Sequence, residues 1–204
     1  MIVQEYLELG SKIKSDLLAK SLPPEEFDKQ FSLYLAYTYA RIPPEYWEFN
    51  PSMGRSVSRV VNKFIEEAAV GVGLTLAGSH PFAKTDILYY IARKLTEKGH
   101  TCFTLYFDEF LYIVKESKES RVLKLELADR IKSSYFFLLD VPEVVDASPF
   151  IQDAIALMLL RKGSRLSTSF SVNTSFSLED ISVSSFLGRL ILPFNKVNKF
   201  LVID

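Results

Sequence analysis

The 204-residue sequence predicts an α/β fold in which a parallel sheet is covered by helices on both faces and preceded by a short helical arm. Three observations carry this expectation. Short apolar runs alternate along the chain with segments of helical period. Runs such as Leu74–Ala77 and Tyr135–Leu139 are apolar throughout rather than alternating, as strands buried on both faces are. Hydrophobic residues make up 48% of the chain against 24% charged, with only 8 Gly and 9 Pro, so a core can form and neither disorder nor a collagen-like fibre fits.

Composition also narrows the chemistry. The 24 basic and 25 acidic side chains leave a net charge of -1, so whole-protein electrostatics do not mark a nucleic-acid binder. One cysteine, Cys102, and two histidines, His80 and His100, cannot build a disulfide or a Cys/His zinc site. The amino terminus carries acid early and lacks the basic start and apolar run of a signal peptide. The longest strongly apolar stretch, Ala154–Leu160, falls far short of the roughly 20 residues that span a bilayer. A cytoplasmic protein without membrane contact is the expectation.

The elements follow from period and punctuation. Ile2, Tyr6, Leu9, Ile13 and Leu17 predict an amphipathic helix. Pro23 and Pro24 suit the first turn of a second helix, with Glu25 and Glu26 at the positive end of its dipole. Phe27, Phe31, Tyr34, Leu35 and Thr38 give it an aromatic stripe, which either packs onto the main domain or is presented to a partner. Arg41–Ser52 is a proline-punctuated extended link and marks the domain boundary. Helices are expected over Ser56–Ala69, Thr85–Glu97 (ended by Gly99), Asp108–Lys115, Arg121–Lys132, Phe150–Arg161 and Val183–Leu190. Strands are expected at Leu74–Ala77, Thr101–Phe107, Tyr135–Leu139, Arg165–Val172 and Phe200–Ile203.

The segment with the most chemistry joins the first strand to a helix. Phosphate-binding loops read Gly-x-x-x-x-Gly-Lys-Ser/Thr, and Gly78, Lys84 and Thr85 stand at the required offsets around Ser79, with Ala83 in place of the last glycine. Backbone N–H groups and a helix amino terminus cradle phosphate there, the lysine neutralises it and the hydroxyl ligates magnesium. Ala83 adds a methyl group where the backbone approaches phosphate, and Pro81 removes an N–H, so the cradle is weakened. The strand at Tyr135–Leu139 then delivers Asp140, placed to hold magnesium, and a later strand delivers Asn173, placed to orient a water. An ordinary strand-to-helix turn, a turn-capping aspartate and a turn-forming asparagine are the structural alternatives for these three features.

In this arrangement the chain resembles the AAA+ P-loop ATPase domain of bacterial and phage helicase loaders of the DnaC type, to which the transposition ATPase IstB is related. The resemblance runs from about Arg41 to Asp204. It is carried by the Ile42–Phe49 lead-in, the helix ending at Glu67, the Gly78–Thr85 loop, the segment Ile91–Leu105, the Phe136–Asp140 strand and Thr168–Asn173. It implies a helical arm over 1–40 that docks a partner and a degenerate AAA+ domain over 41–204. It also implies that Lys84 and Thr85 are the Walker A lysine and threonine, Thr85 and Asp140 the magnesium ligands, and Asn173 the sensor 1 residue. Two departures stand out. Val141 follows Asp140 where the family places a second, water-activating acid, with Glu143 displaced beyond Pro142. Near the carboxyl end only Arg189 resembles an arginine finger, the family's other arginine falling on Ser185.

The function this implies is a DNA-replication protein that loads or escorts a replicative helicase, binding ATP or ADP with magnesium as an assembly switch and hydrolysing it weakly at most. The helicase is the implied partner, and contacts with single-stranded DNA and with further copies of the chain stay open. A pseudo-ATPase scaffold that binds no nucleotide, and an IstB-like ATPase serving transposition, are the alternatives.

Overall fold

In a computed structural model of the chain, residues 2–68, 71–78, 81–119, 126, 129–141, 150–163, 166–173, 186–194 and 197–203 are described. Among them five strands form one parallel sheet: β1 (Leu74–Gly78), β2 (Cys102–Tyr106), β3 (Phe136–Val141), β4 (Ser167–Asn173) and β5 (Lys199–Val202). Their order is β2-β3-β4-β1-β5, so the chain crosses over between strands that are not sequence neighbours. The helices are α1 (Ile2–Ala19), α2 (Pro24–Tyr39), α3 (Arg55–Glu67), α4 (Pro81–Glu97), α5 (Phe107–Glu119), α6 (Ile151–Gly163) and α7 (Phe186–Ile191). The helix expected over Arg121–Lys132 falls largely outside the described residues, and 129–133 are helical.

Successive side chains of β3 show why the runs are apolar throughout. Phe136 and Leu138 join Phe64, Leu88, Ile91 and Leu95 in the core beneath α3 and α4. Phe137 and Leu139 join Phe110, Met158, Phe170 and Leu190 in the core beneath α5, α6 and α7. A strand with both faces covered turns apolar side chains to both, as β3 does up to Asp140, whereas β4 buries Ser167, Thr168, Ser169 and Ser171.

Helix boundaries shift where backbone chemistry decides them. Pro24 opens α2, followed by Glu25 and Glu26 in its first turn. Beyond α4, Gly99 takes a left-handed φ of 84°, with Gly99 N–H donating to Thr96 O at 2.9 Å and His100 N–H to Leu95 O at 3.1 Å. This Schellman closure satisfies the last carbonyls and turns the chain into β2.

The aromatic stripe divides between the two roles open to it. Tyr37, Thr38 and Ala40 are buried, and Tyr37 and Ala40 belong to the core under α4. Tyr34 lies half-buried against the Trp47 ring at 4.7 Å, and Phe27 stacks on Phe31 at 6.0 Å. Leu35 is exposed. The arm expected to end at residue 40 is thus joined to the domain by its last turn. The Ala40 carbonyl accepts the Thr104 N–H at 3.0 Å and covers part of the free edge of β2.

The link that follows contains a single 3-10 turn, Pro44–Tyr46, and is tied to α4. Arg93 donates to Trp47 O at 2.9 Å and to Asn50 Oδ1 at 2.8 Å, while Trp47 Nε1 donates to Ile42 O at 2.8 Å. No helix among the described residues is long and apolar enough to cross a membrane.

Candidate nucleotide site

The site is built at the carboxyl ends of β1, β3 and β4, where ligands bind in open parallel sheets. In register, Gly78 lies beside Asn173 and Asp140 beside Ser171, so three of the expected site positions emerge at one sheet edge. Gly78 has a φ of 153°, and a Cβ on it would stand 1.9 Å from the Ile203 carbonyl oxygen. The Ile203 N–H also donates to Ala77 O at 2.7 Å, so the chain end presses on the loop entrance and only glycine fits.

The helix after the loop starts at Pro81, four residues before the expected Thr85. Proline suits a first helical position, since its missing N–H would have no intrahelical acceptor there. The cost expected of Pro81 is accordingly smaller. Helix geometry leaves the N–H groups of Phe82 and Ala83 without intrahelical acceptors, directed out of the amino terminus towards the loop. Ala83 is half-buried in this first turn. Ser79 lies outside the described residues.

Lys84 is buried, at 1% exposure, and its Nζ donates to Gly78 O at 2.8 Å, so the lysine reaches back across the loop mouth. Thr85 Oγ1 donates to Asp140 Oδ2 at 2.6 Å. Burial pushes the Asp140 carboxyl above its ordinary range, while the Thr85 hydroxyl, the nearby Ser171 hydroxyl and the Lys84 charge pull it back. Ser171 Oγ is buried without a hydrogen-bond partner among the described residues, so it acts on Asp140 by proximity rather than by a formed bond.

The donor set suits magnesium. A hydroxyl and one carboxylate, both hard oxygen donors and side by side, match an ion that keeps several waters and takes one or two carboxylates plus phosphate oxygens. Thr85 and Asp140 would hold it.

The remaining site expectations are placed unevenly. Asn173 ends β4 next to Gly78 on the backbone. Val141 is 1% exposed and pairs with Val172 in the apolar core under α5 and α6, so the position of the missing acid is a core position in this chain. Pro142, Glu143 and Ser185 lie outside the described residues. Arg189 is exposed on α7. With the Gln152 amide oxygen turned to it, its guanidinium donates at 2.7 and 3.3 Å, a tie between α7 and α6 rather than a contact with Lys84, Thr85 or Asp140.

Sequence reasoning missed a tyrosine cluster beside Asp140. Tyr106 lies in register with Asp140, its ring 5.7 Å from Tyr89, and Tyr89 stacks on Tyr46 of the lead-in at 4.5 Å. Burial raises the Tyr89 and Tyr106 hydroxyl pKa values, and the Asp140 charge adds to this. One signal was available, because Tyr89 follows Thr85 by four residues and so shares its face of α4.

Known proteins share this fold. No family model matches the chain. The replicative helicase loader DnaI of Bacillus subtilis (strain 168) is 30% identical over 115 residues, which cover 55% of this chain and 37% of that protein. A crystal structure of the DnaC helicase loader superposes with a TM-score of 0.62 at 21% identity, over 79% of this chain and 100% of that one. This chain shares the fold of the DnaC helicase loader. The fold is shared also by DnaA from Aquifex aeolicus bound to AMPPCP, with a TM-score of 0.61 at 17% identity, over 80% of this chain and 51% of that one. The chain spans little more than a third of the length of the curated loader it matches.

Proposed function

We propose that the protein serves DNA replication as a helicase loader or helicase escort. It binds ATP or ADP with magnesium between Gly78 and Thr85 and uses nucleotide as an assembly switch. The observation that carries this is the meeting of Lys84, Thr85 and Asp140 at one sheet edge, with Thr85 Oγ1 2.6 Å from Asp140 Oδ2. The likeness to DnaI and DnaC supports the partner class, a replicative helicase, and the AMPPCP-bound neighbour supports the ligand class.

In this reading the Phe82 and Ala83 N–H groups and the Lys84 ammonium bind the phosphates, and Asn173 and Arg189 are the residues offered for the terminal phosphate, Arg189 to a neighbouring copy. Magnesium, when bound, neutralises phosphate charge between Thr85 and Asp140. Val141 leaves water without a general base at the usual position, so the bound nucleotide persists. A loader is expected to retain the replicative helicase of its own host on a column in Mg·ATP and to release it without nucleotide. Equal retention in both conditions removes the switch, and no retention in either removes the helicase.

One observation favours a second reading, a scaffold that takes no nucleotide: Lys84 already has a carbonyl partner in Gly78 and loses it on turning to phosphate. Unchanged helicase retention by Lys84→Ala supports the scaffold.

A further inference from the structure

We infer that the groove between α1 and the Pro44–Glu48 segment is a docking site for a cationic, apolar-anchored helical segment of a protein partner. Two adjoining cavities, of about 420 and 300 Å³, share Pro44 and Trp47 as a common wall. Along the facing wall α1 contributes one residue per turn, Leu9, Ile13 and Leu17, of which the last two are buried. The floor is therefore aliphatic and aromatic, of the kind that accepts side chains at i and i+4 of an added helix.

Charge decides what the added helix is. The rim of the larger cavity carries Asp16, Glu45 and Glu48 against Lys20 alone, a balance of -2. Lys20 lies 3.7 Å from Glu48, with both side chains at least half exposed. The Tyr34 hydroxyl, donating at 2.8 Å, and then the Lys20 charge hold the Glu48 carboxyl below its ordinary range, so it is ionised at neutral pH. In the smaller cavity Arg41 and Glu109 are paired and cancel. Residues 1–50 as a whole hold 8 acidic and 5 basic side chains, and the buried Arg93, whose charge reaches Glu48, reduces the negative balance around the rim without reversing it. Such a rim attracts lysine and arginine beside an apolar anchor and repels both acidic peptides and the phosphates of single-stranded DNA.

The inference rests on the proposed function only in needing a protein partner, and it is tested without nucleotide or helicase. Trp47 is the sole tryptophan and forms the wall of both cavities, so its emission reads occupancy directly. The full chain is titrated with a synthetic amphipathic helix carrying leucine at i and i+4 and lysine elsewhere. A twin with glutamate for each lysine and a single-stranded oligonucleotide are titrated in parallel. The expected result is a saturable shift with the cationic helix only, weakened at least tenfold by Glu45→Lys with Glu48→Lys, and separately by Asp16→Lys, in chains whose circular dichroism is unchanged. The inference is overturned if the cationic helix gives no shift, if its twin binds equally, or if no charge reversal weakens it. Helicase retention without a peptide response sinks the groove alone, and a peptide response without helicase retention sinks the loader reading alone.

Discussion

Thr85, near the start of α4, and Asp140, near the carboxyl end of β3, are 55 residues apart in sequence and 2.6 Å apart in space, hydroxyl to carboxylate. The contact sets two hard oxygen donors side by side, and under the proposed function this is where magnesium would be held.

Replacing Thr85 by valine keeps the shape of the side chain and removes the donor. Nucleotide affinity is expected to lose most of its magnesium dependence, by roughly tenfold or more for a charge-assisted bond of about 1.5 to 3 kcal/mol. Titrations of ATP with magnesium and with EDTA measure the difference. An unchanged ratio places the ion elsewhere.

Val141 is packed in the core, so supplying the family's second acid there has a cost. Val141→Glu is expected to destabilise by about 3 kcal/mol, because it buries a carboxylate among apolar side chains. Steady-state hydrolysis by the natural chain is expected below about 1 s⁻¹. Urea denaturation and a phosphate-release assay measure the two: a Val141→Glu chain as stable as the natural one contradicts the first, and turnover of the natural chain at or above about 1 s⁻¹ contradicts the second.

Arg161 is a fully buried cation whose hydrogen-bond partners among the described residues are neutral. Its guanidinium donates to Thr168 Oγ1 at 2.9 Å and to the carbonyls of Ile131, Ser134, Tyr135 and Ser167, joining α6 to the starts of β3 and β4. Burial lowers its pKa to about 9. Arg161→Met strands these acceptors and is expected to destabilise by about 3 kcal/mol or more by equilibrium unfolding.

How much of this was legible follows from what kind of interaction fixed each part. The apolar runs of β1 and β3 and the Gly99 stop depend on local pattern, and the structure has them where pattern put them. Helix α4 starts at Pro81 rather than at the expected Thr85, because proline suits a first helical position. The roles of Arg161, of Ala40 on the β2 edge and of the Tyr46–Tyr89–Tyr106 stack were not legible, since each depends on partners brought together by the sheet order. An arginine in the last turn of an amphipathic helix reads as solvated until the strands beneath it are known.

Cys102 is 1% exposed, and burial pushes its thiol up to about 12. The native chain is therefore expected to resist iodoacetamide at pH 8 and to react once unfolded. Because the folded pKa lies above the unfolded value of 9.0, the native state holds more protons between pH 9 and 12. The thiol's contribution to stability is present in full below pH 9 and is lost as pH rises through that window. Rapid native labelling contradicts this placement.

Truncation separates the arm's two helices. Deleting residues 1–22 removes α1 and is expected to leave a cooperatively folding chain. Deleting residues 1–40 also removes Tyr37, Thr38 and the Ala40 carbonyl that covers Thr104, and is expected to abolish cooperative unfolding. Thermal melts decide between the two, and a stable 41–204 fragment shows that the last turn of α2 is dispensable.

Whether magnesium nucleotide binds at Lys84, Thr85 and Asp140 is decided by calorimetric titration of the full chain with Mg·ATP beside a folded Lys84→Ala variant. Saturable heat near one nucleotide per chain in the natural protein, a higher melting temperature in its presence, and loss of both in Lys84→Ala are expected. Absence of heat and of thermal stabilisation at millimolar ATP, or equal binding by Lys84→Ala, contradicts binding there.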